Sequence, residues 1–166
     1  MLDIQISTEN GGWDDEAALL GKCQPVLEAA ADWLSKKESQ PFPDDAVELS
    51  LLFTDDASIR EINGEWRGMD KPTNVLSFPA FPVEPGKMPG PMLGDIIFAY
   101  ETVLREAEDL QKPFDEHLSH LLVHGFLHLF GYDHMNDDEA VTMEGLETGI
   151  LASLGLSDPY TDSDPA

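Results

Sequence analysis

The stretch "HLSHLLVHGFLHLFGYDH", His117 to His134, carries all five histidines of the chain in an otherwise apolar run. At ~100° per residue, a helix places His117, His120, His124 and His128 inside one arc of about 80°. Leucines, Val123, Phe126 and Phe130 occupy the rest of the circumference. A helix that is apolar all round is an enclosed one. This segment is therefore expected at the centre of the fold, with the other elements arranged to cover it.

Those elements are short and mixed. "LDIQIS" and "AVELSLLFT" alternate as strands, and "NVLSF" and "DIIFAY" are two further β-rich runs. "DDEAALLGKCQPVLEAAADWLSKK" has apolar residues at helical spacing, with Pro25 either kinking the helix or marking its start. "DDASIREINGEWR" reads as a short helix capped by Thr54 or Asp55, and "ETVLREAEDLQ" as another. "DDEAVTMEGLETGILASLG" reads as a last helix, ended by Gly155. Pro113 suits the first position of the histidine helix, with Asp115 and Glu116 in its first turn. Strands come early and helices late. The pattern predicts an α+β fold, a small mixed four-stranded sheet packed with about five helices. One domain is expected over 1–156, with 157–166 a loose C-terminal tail. "PAFPVEPGKMPGPML" (Pro79 to Leu93), with five prolines and two glycines, is either a solvated excursion or a rim or lid over a site.

His124 and His128 stand four residues apart, which sets two imidazoles side by side, a common helical pair for zinc. Were the helix to continue, His134 would stand about 240° round from His128, out of reach of the same ion. Glycine adopts the left-handed conformation that reverses a helix end, so Gly131 lets His134 swing back as a third ligand. Three neutral nitrogens leave a fourth tetrahedral position for water, the arrangement of a catalytic zinc site. Nickel or copper would also be accepted. His117 is most simply a surface residue near the helix start, and His120 either a hydrogen-bonded core residue or one beside the ligands. The spacing H-x3-H-x2-G-x2-H is shared with the metzincin proteases, which place a general-base glutamate directly after the first histidine. Here that position is Gly125, with Asp133 a candidate substitute. The metal site is kept and the mark of peptide hydrolysis is lost.

The charge is extreme. There are 33 acidic residues against 9 basic ones, a formal net charge of -24. Such a surface repels polyanions and by itself argues against nucleic-acid binding. The single cysteine, Cys23, excludes a disulfide within the chain and a cysteine-based metal site. No apolar run approaches the ~20 residues of a membrane span. "MLDIQISTEN" lacks the basic and apolar regions of a signal peptide, so the cytoplasm is expected.

One region escapes the acidity. From Lys71 to Gly94 the charged residues are Lys71, Glu84 and Lys87, a net +1. Arg67 and Lys71 stand close together. A guanidinium suits bidentate contact with phosphate, and a lysine adds a point charge; the alternative is two surface cations balanced by Glu65 and Asp70. Thr73, Asn74 and Ser77 either donate to phosphate or cap a turn. Asp95 either orients a histidine from outside the ligand set or caps a strand end.

"VHGFLHLFGYDH" resembles the signature of the YbeY family, bacterial metal-dependent endoribonucleases of ribosomal RNA maturation. "WRGMDKPTNVLSFP" (Trp66 to Pro79), "LGDIIFA" (Leu93 to Ala99) and "MEGLETGILASLGLSDPY" are similar to its other conserved blocks, in the right order from about 66 to 160. The first 45 residues and the proline-rich loop carry little of the match. The resemblance implies one zinc per chain, held by His124, His128 and His134, and a role for Arg67 in RNA cleavage. The residues themselves add Lys71, Thr73 and Ser77 as candidate substrate contacts and Asp95 and Asp133 as candidate supports. It implies single-strand-specific cleavage in maturing the 3′ end of small-subunit (16S) rRNA and in ribosome quality control. The partners would be rRNA and small-subunit components, with neither DNA nor membrane. Two other readings use the same site: a metzincin-like zinc protease, and a non-catalytic, zinc-stabilised ribosome assembly factor. The sequence does not give the oligomeric state.

Overall fold

The computed structural model describes residues 2–9 and 12–160. In chain order the elements are β1 (Leu2–Thr8), α1 (Glu16–Lys37), β2 (Val47–Thr54), α2 (Asp56–Arg67), β3 (Val75–Pro79), β4 (Met92–Ala99), α3 (Tyr100–Leu110), α4 (Phe114–Leu129) and α5 (Asp137–Ser153). The sheet order is β1-β2-β4-β3. β1 runs parallel to β2 and β2 parallel to β4, while β3 is antiparallel to β4. The expected α+β fold, with five helices and a mixed four-stranded sheet among the described residues, is the observed one.

The alternation of β2 assigns the two faces of the sheet. Val47, Leu49, Leu51 and Phe53 enter the main core with Ile96 and Phe98 of β4, beneath α1, α4 and α5. The opposite face carries a smaller cluster, in which Ile59 of α2 meets Leu76, Ile97 and Ala99. α2 and α4 therefore lie on opposite faces, and β3 is the edge strand between them. As expected, α4 is central, with Leu122, Val123, Phe126, Leu127 and Leu129 each 1% exposed or less.

Local chemistry sets the boundaries. Asp55, rather than Thr54, caps α2 by accepting from Ser58 N–H at 2.8 Å, and Thr54 is buried at the end of β2. Pro25 does not start α1, which runs from the Asp15 cap straight through it. Pro25 and Gly21, whose carbonyl loses its helical donor there, are both exposed, so water can take the place of the missing bond. Pro113 stands one position before the first turn of α4. Its ψ of 142° is extended, and its carbonyl accepts the first helical bond, from His117 N–H at 3.1 Å. α5 ends as expected, with Gly155 at φ 78° and Leu156 N–H bonded back to the Leu151 carbonyl.

Of the segment read as a loose tail, 161–166 lies outside the described residues. Residues 157–160 are hydrogen-bonded to the helices: Ser157 donates to Glu116 at 2.7 Å, and Tyr160 donates to Glu147. The proline-rich loop is tied down by Gln40, 2% exposed, which donates to the Lys87 carbonyl and accepts from Gly86 N–H.

Candidate metal centre

α4 ends at the residues the histidine spacing demands. Gly131 adopts φ 94°, and its N–H returns to the His128 carbonyl at 3.0 Å. A β-carbon there would sit 2.1 Å from the Val83 carbonyl of the proline-rich loop. Conformation and space both require glycine at the turn that brings His134 back. The loop is thus packed directly against this turn, and its first residue, Pro79, lines the adjoining cleft.

One ring nitrogen from each of His124, His128 and His134 lies within 4.8 Å of the other two. His124 Nδ1 meets Glu147 Oε2 at 2.9 Å, and His128 Nδ1 meets the Tyr132 carbonyl at 2.9 Å. Both partners only accept, so both rings carry their proton on Nδ1 and leave Nε2 bare. The two Nε2 atoms face each other at 3.1 Å. Two lone pairs at that distance repel unless a cation stands between them. Two nitrogens, each 2.0–2.1 Å from a shared tetrahedral zinc, would be ~3.3 Å apart. The donor set therefore fits a metal ion. Burial, with the neighbouring His124 and His134, pushes His128 down to about 4, so its imidazole is neutral at pH 7, as a ligand must be.

The ligands open onto a cleft of about 630 Å³. Arg67, Lys71, Thr73, Ser77 and Asp133 line it with the three histidines. Arg67, at the last position of α2, reaches over the edge strand. Its Nη2 donates to the Ser77 carbonyl at 2.8 Å, and its guanidinium lies 5.3 Å from the centre of the Phe78 ring. Asp70 does not balance Arg67 or Lys71, because it forms a two-bond pair with Arg60, at 2.8 and 3.2 Å. Asp133 is the one carboxylate lining the cleft among the described residues. In a chain of net charge -24, this cleft thus gathers two cationic residues and three imidazoles beside a single carboxylate.

Some sequence-predicted residues are placed elsewhere. Ser77 lines the cleft, but its hydroxyl donates to the Gly125 carbonyl at 3.1 Å and ties β3 to α4, so it is committed to the fold rather than to a substrate. Asp95 cannot support a histidine. The next residue, Ile96, faces α4, and the pleat turns Asp95 to the opposite side, exposed. Asp133 accepts His134 N–H at 2.8 Å and stays beside the ligands. His117 is not a surface residue: it is 5% exposed and bonded to Glu106 Oε1 at 2.9 Å, because its side of α4 faces α3.

The Gly125 position also bears on the protease reading. A β-carbon there would lie 2.9 Å from Ile96 and 3.0 Å from the Ser77 hydroxyl. The position after the first ligand faces the sheet and has no room for a glutamate.

A family model for "Endoribonuclease YbeY" matches residues 14–155. This chain belongs to that family. It is 71% identical over 164 residues to the Endoribonuclease YbeY of Rhizobium meliloti (strain 1021), covering 99% of this chain and 98% of the relative. It is 66% identical to that of Agrobacterium fabrum, with the same coverage of each. Its fold resembles the solution structure of TM1509 from Thermotoga maritima, with a TM-score of 0.54 at 24% identity and 99% of each chain covered. The family blocks meet in one place. "WRGMDKPTNVLSFP" supplies Arg67, Lys71 and the edge strand, and "VHGFLHLFGYDH" supplies the three histidines that could hold a metal ion.

Glu147 escapes a reading of the sequence. It lies in the block "MEGLETGILASLG", where acidic residues are common, and only the packing shows it to be 0% exposed between α5 and α4. Burial pushes its carboxyl up, but hydrogen bonds from His120 and His124 outweigh this and hold it at about 2. His120, read as a residue beside the ligands, is the second of these donors, at 2.7 Å.

Proposed function

We propose that this chain is a zinc-dependent, single-strand-specific endoribonuclease that matures the 3′ end of small-subunit rRNA and acts in ribosome quality control. One observation carries this reading: three converging imidazoles, two of them with bare Nε2 atoms, share a cleft with Arg67 and Lys71 on an otherwise acidic chain. Membership in the family supports it. Its partners in that role are rRNA and small-subunit components, neither DNA nor membrane, and its place is the cytoplasm. Among the described residues, no helix is long and apolar enough to cross a membrane. The unit that does this is the single domain 1–156.

Arg67 is held by the Ser77 carbonyl and the Phe78 ring, which fixes its planar fork over the cleft and leaves further N–H donors for the non-bridging oxygens of a phosphate. Lys71, which lines the same cleft, adds a point charge. Thr73 contributes a hydroxyl. His124, His128 and His134 would hold the zinc, which when bound supplies a Lewis acid for a phosphoryl oxygen and lowers the pKa of water from ~15.7 towards ~7. Asp133 is the carboxylate in position to accept the proton of the attacking hydroxyl or water as its bond to phosphorus forms, while the leaving oxygen takes a proton from solvent.

The test is cleavage of an end-labelled rRNA precursor fragment by the purified chain, with and without chelator, beside folded His128→Ala and Arg67→Ala proteins. Cleavage that disappears with chelator and with His128→Ala, and falls with Arg67→Ala, is expected. Equal cutting by all three proteins would expose a contaminating nuclease. No cutting by zinc-loaded wild type would favour the assembly factor.

A further inference from the structure

We infer that Glu147 is a positioning residue for the metal centre, and that Tyr160, beyond the last helix, holds it in place. This rests on the metal reading above. A carboxylate that is 0% exposed is costly unless donors surround it. Among the described residues Glu147 has three, unequally divided. Oε1 accepts from His120 Nε2 at 2.7 Å and from the Tyr160 hydroxyl. Oε2 accepts from His124 Nδ1 at 2.9 Å.

That division has a chemical consequence. Two donors on Oε1 stop the carboxylate from rotating, which fixes Oε2 against His124. A fixed acceptor at Nδ1 leaves the lone pair on Nε2 and sets the plane of the ring. His124 Nε2 thereby points at His128 Nε2, 3.1 Å away. The three ligands are held by unlike devices. His128 leans on the Tyr132 carbonyl of its own turn, and His134 is carried on the short loop that follows Gly131. Among the described residues only His124 is bonded to another helix, and that helix is tied to the C-terminal segment through Tyr160 and through Thr148 to Asp158. The segment at 157–160 is thus part of the support of the metal centre.

A carboxylate that merely tied α4 to α5 would matter for stability alone, and metal affinity separates the two roles. Zinc affinity of the full chain would be measured by competition with a chromogenic chelator, beside melting of the metal-free protein. The amide in Glu147→Gln offers one acceptor and one donor group, so it cannot accept on both sides. Zinc binding is expected to weaken about 10–100-fold, with a shifted visible spectrum of the cobalt-loaded protein. Tyr160→Phe keeps the carboxylate and frees its rotation; a smaller loss, about threefold to tenfold, is expected at nearly unchanged melting of the metal-free protein.

A folded Glu147→Gln protein with wild-type zinc affinity would overturn the positioning role. Should that variant not fold, wild-type affinity in Tyr160→Phe would overturn the proposal. Failure of the metal reading looks different: wild type itself would then bind zinc no better than His128→Ala.

Discussion

The histidine stripe of α4 has two halves, built from the same residue on the same face. At the N-terminal end each ring has a carboxylate: His117 pairs with Glu106 at 2.9 Å and His120 with Glu147 at 2.7 Å. At the C-terminal end, His124 and His128 turn bare nitrogens towards each other at 3.1 Å, with His134 beside them. In the first half each Nε2 already has its carboxylate and is complete, and in the second the two Nε2 atoms are left facing each other. What distinguishes a candidate ligand histidine from a structural one is therefore not its position on the helix. It is whether its Nε2 has been given a carboxylate or left bare.

Removing a ligand should break that contrast most severely. If zinc binding is worth on the order of 10 kcal/mol over three ligands, His128→Ala should lose about 3 kcal/mol of it, a 10²-fold or greater loss of affinity, and with it RNA cleavage. Equilibrium dialysis and the cleavage assay check both. Wild-type zinc affinity in His128→Ala would move the ion elsewhere. The next largest effect is expected at Gly125. Glutamate there would restore the metzincin pattern on paper, yet the site meets Ile96 and Ser77 within 3.0 Å. Overpacking and a carboxylate pressed against the sheet should cost about 2–3 kcal/mol. Gly125→Glu is expected to melt far below wild type, and a stable variant that cuts peptides would reverse this reading.

The sequence showed the ligand half clearly and the other half poorly, for a physical reason. His124, His128 and His134 are local. Helix periodicity and one glycine relate them within eleven residues, so spacing alone describes their geometry. The partners of His117 and His120 come from Glu106 on α3 and Glu147 on α5, eleven and twenty-seven residues away along the chain. No local pattern encodes such a meeting. The same distinction explains Asp95 and Ser77. Both stand in the family blocks, but pleat alternation sends Asp95 away from α4, and helix–sheet contact occupies the Ser77 hydroxyl. The α+β order was legible because alternation and helix periodicity are also local. Pro25 misled because solvent exposure, which makes a proline tolerable inside α1, is a tertiary property.

A third prediction compares the two walls of the cleft. Arg67→Ala should lower cleavage about 10²–10³-fold, the usual loss when one donor to transition-state charge is removed, with zinc affinity unchanged. Arg67→Lys should recover little, since a lysine cannot both bond the Ser77 carbonyl and present a planar fork. Full activity in the lysine variant would reduce Arg67 to a charge. On the complete half of the stripe, His117→Ala is expected to leave zinc affinity within about twofold of wild type. It should destabilise the fold by about 1–3 kcal/mol, because a hydrogen-bonded donor is lost from a buried position. Urea unfolding of the metal-free protein measures this directly, and a large loss of zinc affinity would erase the distinction between the two halves.

The smallest effect is also the most specific, because it depends on pH. Burial pushes the Glu106 carboxyl up, but hydrogen bonds from His117 and Asn74 outweigh this and hold it below the usual carboxylate range. A lowered folded value stabilises the protein above the unfolded value of ~4.3, and that stability is lost as pH falls through the folded value. The Glu106 side chain is 36% exposed, so solvent screening keeps the contribution to about 1 kcal/mol or less. Glu106→Gln should therefore be less stable than wild type at pH 7, with the gap closing below pH ~4.3 as the wild-type carboxyl takes up its proton. Urea midpoints at pH 7, 5 and 3.5 would follow the convergence. A gap that widens towards acid would have the wrong sign for a charged acceptor, and the His117 end of the stripe would then need a different account from the one its geometry gives.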